Sequence, residues 1–371
     1  MKTGVPLSEL AAQIKRENSE KKDFIAPTTM LGFVARGERG AIEFNTNGNE
    51  QAVFPTEHCL QQICSRVGIP KQYSDRMRGE NLDLLAANVN WWFQHKPETR
   101  MLRTLVNGEH TARAFLSERY RPLDNHDLAE VVLPRLADAG CEVLSSQITE
   151  TRLYIQAATP KMELDLNKLR REFTNTHSPE AYAKIKELDP VQAGVVISNS
   201  EVGAGSLRIE PMLYRLVCLN GLITAQSIRR YHVGKGRSEY AELEEAAQYF
   251  SDKTREMDDR AFWSKVCDVV NGVFDTTRFQ GLAEKFAATG ALTLESPVKA
   301  VEVVAVKLGL NEREHKGVLD HLIEGGDRSL FGLVNAVTRT ASDAESYDRA
   351  IELERMGGEI IELPRTLWSN N

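Results

Sequence analysis

The feature that most constrains this chain is a change of pattern near residue 238. Before it, short alternating or β-branched apolar runs recur in pairs separated by turn residues. After it such runs nearly vanish, and apolar residues recur at helical spacing. Strands paired across short turns imply antiparallel hairpins, because parallel neighbours need long crossovers. The expected class is therefore α+β: a central body of antiparallel β-hairpins with packed helices, followed by an all-helical C-terminal part. Three segments are expected: an N-terminal helix over 1–23, the α+β body over 24–238 and an acidic helical domain over 239–371. A length of 371 residues agrees with two or three domains at roughly 150 residues each.

Local signals fill in this outline. Leu7, Leu10, Ala11 and Ile14 share a helix face over 7–22, with Pro6 at its entry. MLGFVARG (30–37) and GAIEFNTNG (40–48) read as a hairpin closed at Gly37–Gly40. Thr56 to about His95 reads as helix in pieces, broken at Gly68–Ile69–Pro70 and Gly79 and stopped by Pro97. MLRTLV and TARAFLS across Asn107–Gly108 form the clearest hairpin. Asp124 or Asn125 caps a helix carrying Leu128, Val131, Val132 and Leu136, with Pro134 inside it and Gly140 past its end. Further β pairs are expected over 141–158 and 191–210, separated by a polar stretch of helix and loop. Pro211 should open a short helix, MLYRLVCL, ended by Asn220–Gly221, before 222–234 returns as a strand. Beyond 238, Ser296–Pro297 opens a helix with Val298, Val301, Ala305 and Leu308 on one side. Leu330, Leu333, Val334 and Val337 mark another. Ser342-x-x-Glu345 reads as the capping box of a last helix, ended by Gly357–Gly358.

Charge follows the same division. The net charge is −7, yet residues 239–371 carry 25 acidic and 15 basic side chains, while 1–238 carry 28 and 31. Within 206–237 stand Arg208, Arg215, Arg229, Arg230, Lys235 and Arg237 against Glu210 alone. The next stretch, 239–259, is dominated by Asp and Glu. A basic element followed at once by an acidic one suggests two surfaces with different partners. An apolar content of 42% excludes a disordered chain. No apolar run approaches the roughly 18 residues of a membrane span, and the N-terminus lacks the apolar stretch of a secretory signal. Five scattered cysteines fit a reduced, cytoplasmic protein.

No catalytic motif is complete. There is no CxxC pair and no HExxH, and neither Cys59 with Cys64 nor His315 with His321 has the register of shared metal ligands. No metal and no cofactor is expected. Cys218 and His232 could pair as nucleophile and base, but helix and strand spacing would hold them about 30 Å apart. Gly203-x-Gly205 reads as a hairpin tip. HVGKGRS (232–238) could cradle a phosphate with Lys235 and Arg237, or serve as a linker. The basic element has more content: SIRRYHVGKGR brings Arg229, Arg230, Tyr231, His232, Lys235 and Arg237 together, and SERYRPLDN supplies Arg119, Tyr120 and Arg121. Guanidiniums grip phosphates while aromatic planes stack on unpaired bases, a mixture that suits single-stranded nucleic acid.

These residues also carry a resemblance. TARAFLSERYRPLDNHDL, YRLVCLNGLI with RRYHVG, and GDRSLFGLVNAVTRTA resemble, in that order, motifs of the phage/plasmid-like protein family, an uncharacterised domain-of-unknown-function group. The resemblance spans roughly 100–356. Arg215, Val217, Cys218, Asn220 and Gly221 stand where the family shows Arg-x-Val-Cys-x-Asn followed by Gly or Thr, and Val233 follows His232 where a small polar residue recurs. It implies a mobile-element origin and a cytoplasmic location, and it supplies no activity. The leading expectation is a non-enzymatic protein that binds DNA, single strands above all, in replication or recombination. In it Arg208, Arg215, Arg229, Arg230, Lys235 and Arg237 meet phosphates, while Tyr231 or Tyr120 stacks on bases. The order of hairpins and helix loosely resembles Rad52-like annealing proteins. The alternative is a modulator of host or plasmid proteins acting through the acidic helices; a homo-oligomer is left open, and a hydrolase using Cys218 or His232 is the third reading.

Overall fold

The computed structural model describes residues 1–46, 49–106, 108–173, 188–217, 219–224, 228–230 and 251–368. Cys218, Tyr231, His232, Lys235, Arg237 and most of the 239–259 acidic run lie outside the described residues. The architecture is α+β, with antiparallel sheets and a helical C-terminal region.

Helix α1 (Leu7–Glu20) leads into β1 (Lys21–Pro27). Strands β2 (Leu31–Arg36), β3 (Arg39–Thr46) and β4 (Asn49–Pro55) follow as a meander. Three helices, α2 (Glu57–Arg66), α3 (Lys71–Glu80) and α4 (Leu82–His95), precede the hairpin β5 (Thr99–Leu105) and β6 (Thr111–Ser117). These strands make the first sheet, ordered β1-β5-β6-β4-β3-β2, in which only β4 and β6 pair in parallel. Period-two patterning turns Leu31, Phe33, Ile42, Val53 and Leu102 to one face. There they pack on Leu60 and Ile63 of α2 and Leu85, Val89 and Phe93 of α4.

The second sheet is ordered β11-β10-β9-β8-β7 and is wholly antiparallel. Its strands are β7 (Glu142–Ile148), β8 (Leu153–Asp165), β9 (Pro190–Asn199), β10 (Leu207–Arg215) and β11 (Asn220–Ile223). The short β12 (Ile228–Arg230) pairs with the free part of the β10 edge. Helices α5 (Asn125–Asp138) and α6 (Leu166–Phe173) are inserted among the strands. The C-terminal helices are α7 (Asp252–Val273), α8 (Thr276–Ala288), α9 (Pro297–Leu308), α10 (Glu312–Gly325), α11 (Leu330–Thr340) and α12 (Tyr347–Glu362). One sheet face packs Ile155, Val195, Ile197 and Ile209 against α1, α5 and α7, and Val191, Ala193 and Leu213 against the other C-terminal helices. The opposite face packs Tyr154, Val196 and Met212 against Tyr347 and Ile351 of α12. The helices beyond 251 thus share their cores with the sheet of the central body. The boundary drawn at 238/239 falls in the stretch outside the described residues. Among the described residues no helix is long and apolar enough to cross a membrane.

Burial of the sheet on both faces explains the main correction to the local reading. Residues 211–217 do not form a helix: β10 runs through Pro211 to Arg215, and Leu219, at φ +52°, leads into β11. A strand covered on both sides loses its polar alternation, and a short apolar run then reads equally as helix. Pro211 is tolerated because it stands where β12 ends and β11 begins; on that edge its carbonyl accepts from the Thr224 N–H, and no rung needs its missing donor.

Three helix details also differ from the local reading. Ser346, not Ser342, caps α12, which runs through Gly357 and Gly358 instead of ending there. A Cβ on Gly358 would lie 2.0 Å from the Ile223 carbonyl oxygen, and one on Gly357 would meet Thr338 and Leu222 within 3 Å. Both glycines let the helix lie close against β11. In α9 the buried side is Ala300, Val301 and Val304, while Val298 is half exposed.

Candidate nucleic-acid interface

Strand β10 divides the expected cationic cluster between its two ends. Arg208 and Arg215 are seven positions apart, which is about 23 Å along a strand. At the C-terminal end the Arg215 Nε donates to Asp189 Oδ1 at 2.6 Å and its Nη1 to Asn335 Oδ1 at 3.0 Å. Its guanidinium also stands 5.3 Å from the centre of the Phe331 ring, whose own closest cation is Arg170, at 4.1 Å. Arg170 is paired in turn with Asp327 at 3.0 Å. Arg215 therefore ties the sheet to α11 with its charge already matched, and does not belong to an exposed phosphate-binding group. The YRLV (214–217) and GDRSLFGLVNA (326–336) segments meet here.

The other end of β10 is built around the loop 200–206, the expected hairpin tip. Gly203 (φ +77°) and Gly205 (φ +154°) adopt conformations that favour glycine. A Cβ on Gly205 would overlap the Arg152 guanidinium, whose Nη2 donates to the Ala204 carbonyl at 2.9 Å. Val202 is buried with Met101, Ala114 and Leu116 of the first sheet, and its carbonyl accepts from Gln62 Nε2 at 2.7 Å. The loop thus pins the two sheets to one another.

Beneath it lies a network of buried charge. The Arg103 side chain is fully buried and donates to Asp23 (3.0 Å), Asp124 (2.8 Å) and the Glu201 carbonyl (2.9 Å). Glu201 accepts from Arg113 at 2.8 Å and from the Asn125 N–H at 2.6 Å. Asp124 also binds Lys21, so it makes no side-chain cap to α5. Burial alone would raise the Asp124 carboxyl, but Arg103 and Lys21 outweigh it and hold it below its ordinary value. The SERYRPLDN segment therefore turns Asp124 and Asn125 inward, while Ser117, Glu118, Arg119 and Arg121 stay exposed.

Tyr120 is half-buried against this loop, and its hydroxyl donates to the Ser200 carbonyl at 3.2 Å. Burial pushes that hydroxyl up to about 12. The ring is committed to the loop and is not the free stacking surface expected of it. Arg119 and Arg121 on either side are exposed, and Arg121 lies 3.8 Å from Asp258 of α7. An exposed pair at that distance is weak and readily exchanged. On β12 the register sets Arg229 opposite Arg208 and Arg230 opposite Leu207. Tyr120 holds the 119–121 segment, and Arg152 its guanidinium, at the 200–206 loop, the end of the second sheet where Arg208 and the β12 backbone also stand. Arg152 escaped the reading because it lies on a turn distant in sequence; only the fold sets it beside the loop.

One group of metal-ligating type occurs among the described residues. His126, Asp127 and Glu130 of α5 have ligand atoms within 4.8 Å of one another. Glu130 lies three residues from Asp127 and four from His126, the spacings that meet on a helix surface.

A family model described as Domain of unknown function (DUF932) matches residues 114–342. The chain belongs to this family. The DUF932 match takes in the second sheet, α5, α6 and the C-terminal helices through α11. Most of the first sheet, with α2 to α4, precedes it. No curated protein and no solved structure matches the chain.

Proposed function

We propose that this protein binds single-stranded nucleic acid, DNA in the first instance, at the loop end of its second sheet. The observation that carries the reading is the β10–β12 pairing. It brings Arg229 and Arg230 alongside Arg208 at the sheet end where Arg152, Arg119 and Arg121 also stand. Guanidiniums at a sheet end can follow a flexible phosphate backbone without a groove to enter. The resemblance to phage/plasmid-like proteins supplies the setting: a cytoplasmic protein handling strands during replication or recombination of a mobile element, with no catalytic step of its own.

The test is fluorescence anisotropy with a labelled oligothymidylate across a salt series. Wild-type affinity should fall steeply with salt. The Arg229→Ala/Arg230→Ala variant should bind more weakly, with a log–log slope reduced by about 1.4, or about 0.7 for each single-strand phosphate no longer neutralised. A flat salt response, or a variant indistinguishable from wild type, refutes the proposal.

One observation favours the alternative of protein contacts through the acidic helices. Each described side chain from Ser251 to Ala261, at the start of α7, is exposed. Because the helices share cores with the sheet, deletion of 239–371 would unfold the protein. Asp258→Arg with Asp259→Arg is the informative variant: loss of a captured partner supports this reading, and an unchanged capture profile removes it.

A further inference from the structure

Helix α4 buries Leu85, Val89 and Phe93 and leaves an aromatic surface on another side. Trp91 is 52% exposed. Its ring lies parallel to the His95 imidazole, with centroids 4.0 Å apart and planes at 12°, and meets Trp92 edge-on at 4.8 Å. The His95 Nδ1–H donates to the Trp91 carbonyl at 2.7 Å, which locks the imidazole one helical turn along and in register with the indole. The Lys96 ammonium stands 4.6 Å from the centre of the Trp92 ring.

Along this stretch of chain the only full charge is that of Lys96. From Ala87 to Lys96 the helix carries no carboxylate. Glu98, the next in the chain, is occupied by Arg66 and Arg100. A half-exposed indole already in a two-ring stack, with a cation over the neighbouring Trp92 ring and no carboxylate on its own stretch of chain, matches a planar π-system attached to a negative charge. An apolar protein partner would instead have to strip water from Lys96 and His95 with nothing offered in return.

We infer that the Trp91–His95 stack is a platform for an unpaired base of single-stranded nucleic acid, with Lys96 meeting the adjoining phosphate. This rests on the binding proposed above and adds a second point of attachment, on the first sheet and outside the DUF932 match. A base would extend the existing stack by one layer, and because every base has a π-face the interaction would be tolerant of sequence.

Trp91→Ala, Trp91→Phe and Lys96→Glu test it in the full chain, using a labelled oligothymidylate and an abasic oligomer of equal length. Trp91→Ala should weaken oligothymidylate binding about 5- to 150-fold, the range for one stacked base. It should leave the abasic oligomer and the circular dichroism spectrum unchanged, and Trp91→Phe should restore most of the loss. Lys96→Glu should weaken both oligomers. If wild type binds and Trp91→Ala binds equally well, or loses both oligomers alike, the platform is refuted while the arginine site stands. If Trp91→Ala weakens binding and Arg229→Ala/Arg230→Ala does not, the platform stands and the arginine site falls. A wild type that binds neither oligomer overturns both.

Discussion

Replacing Arg103 by Met should remove the charge that joins the two sheets while keeping much of the side-chain volume. Arg103 is fully buried and makes three hydrogen bonds, two to carboxylates and one to a carbonyl. Each charge-assisted bond contributes about 1.5–3 kcal/mol, but the partners differ in how well they recover. Asp23, 29% exposed, can rehydrate, and Asp124 keeps Lys21. The Glu201 carbonyl and one Asp124 oxygen remain stranded. The expected destabilisation is about 3–5 kcal/mol, the usual range when one member of a buried ion pair is removed. Urea unfolding followed by circular dichroism measures it, and the denaturant slope should not change. The pH dependence gives a second check. A carboxyl held below its ordinary value adds stability above pH of about 4 that is lost as pH falls through its folded pKa. The gap between wild type and variant should therefore narrow in acid. A loss below about 1 kcal/mol, or a gap independent of pH, would refute the account of the interface as a charge-locked junction.

Other sites give independent tests. Burial pushes the Glu354 carboxyl up to about 7, so between the unfolded value near 4.5 and pH 7 the native state holds a proton that the unfolded chain has released. Stability should decline over that window in thermal melts, and Glu354→Gln should abolish the decline; parallel wild-type and variant curves would show that Glu354 is ionised when folded. Gly358→Ala places a Cβ 2.0 Å from the Ile223 carbonyl oxygen, so α12 must retreat, at a cost of about 1–3 kcal/mol. Gly79→Ala in α3 meets nothing within 4 Å and should instead stabilise by about 0.4–1 kcal/mol. Equal effects of these two substitutions on urea midpoints would contradict the close approach of α12 to β11.

Much of the fold follows from neighbours in sequence. The hairpins at 31–46 and 99–117, the capped start of α9 at Ser296 and the buried stripe Leu330, Leu333, Val334 and Val337 each depend on local turn chemistry or a single periodicity. The α+β class was legible for that reason. The misread elements have a non-local cause in common. Residues 211–215 form a strand because helices cover both faces of their sheet, and Gly357–Gly358 stay helical because β11 comes close to them. Neither neighbour is near in sequence, so no local pattern reports it.

The candidate site shows the same division more sharply. Sequence determined that arginines and aromatic residues are concentrated in a few segments, because composition and spacing are local properties. Only the tertiary structure decided how each is used. Arg215 was drawn into an ion pair with Asp189, Tyr120 was turned onto the 200–206 loop, Arg152 was brought beside that loop, and Trp91 was left half exposed with His95 stacked on it. The physical reason is that a charge or a ring has no fixed role of its own. Its contribution depends on which counter-charges and how much water surround it, and packing between distant segments sets both.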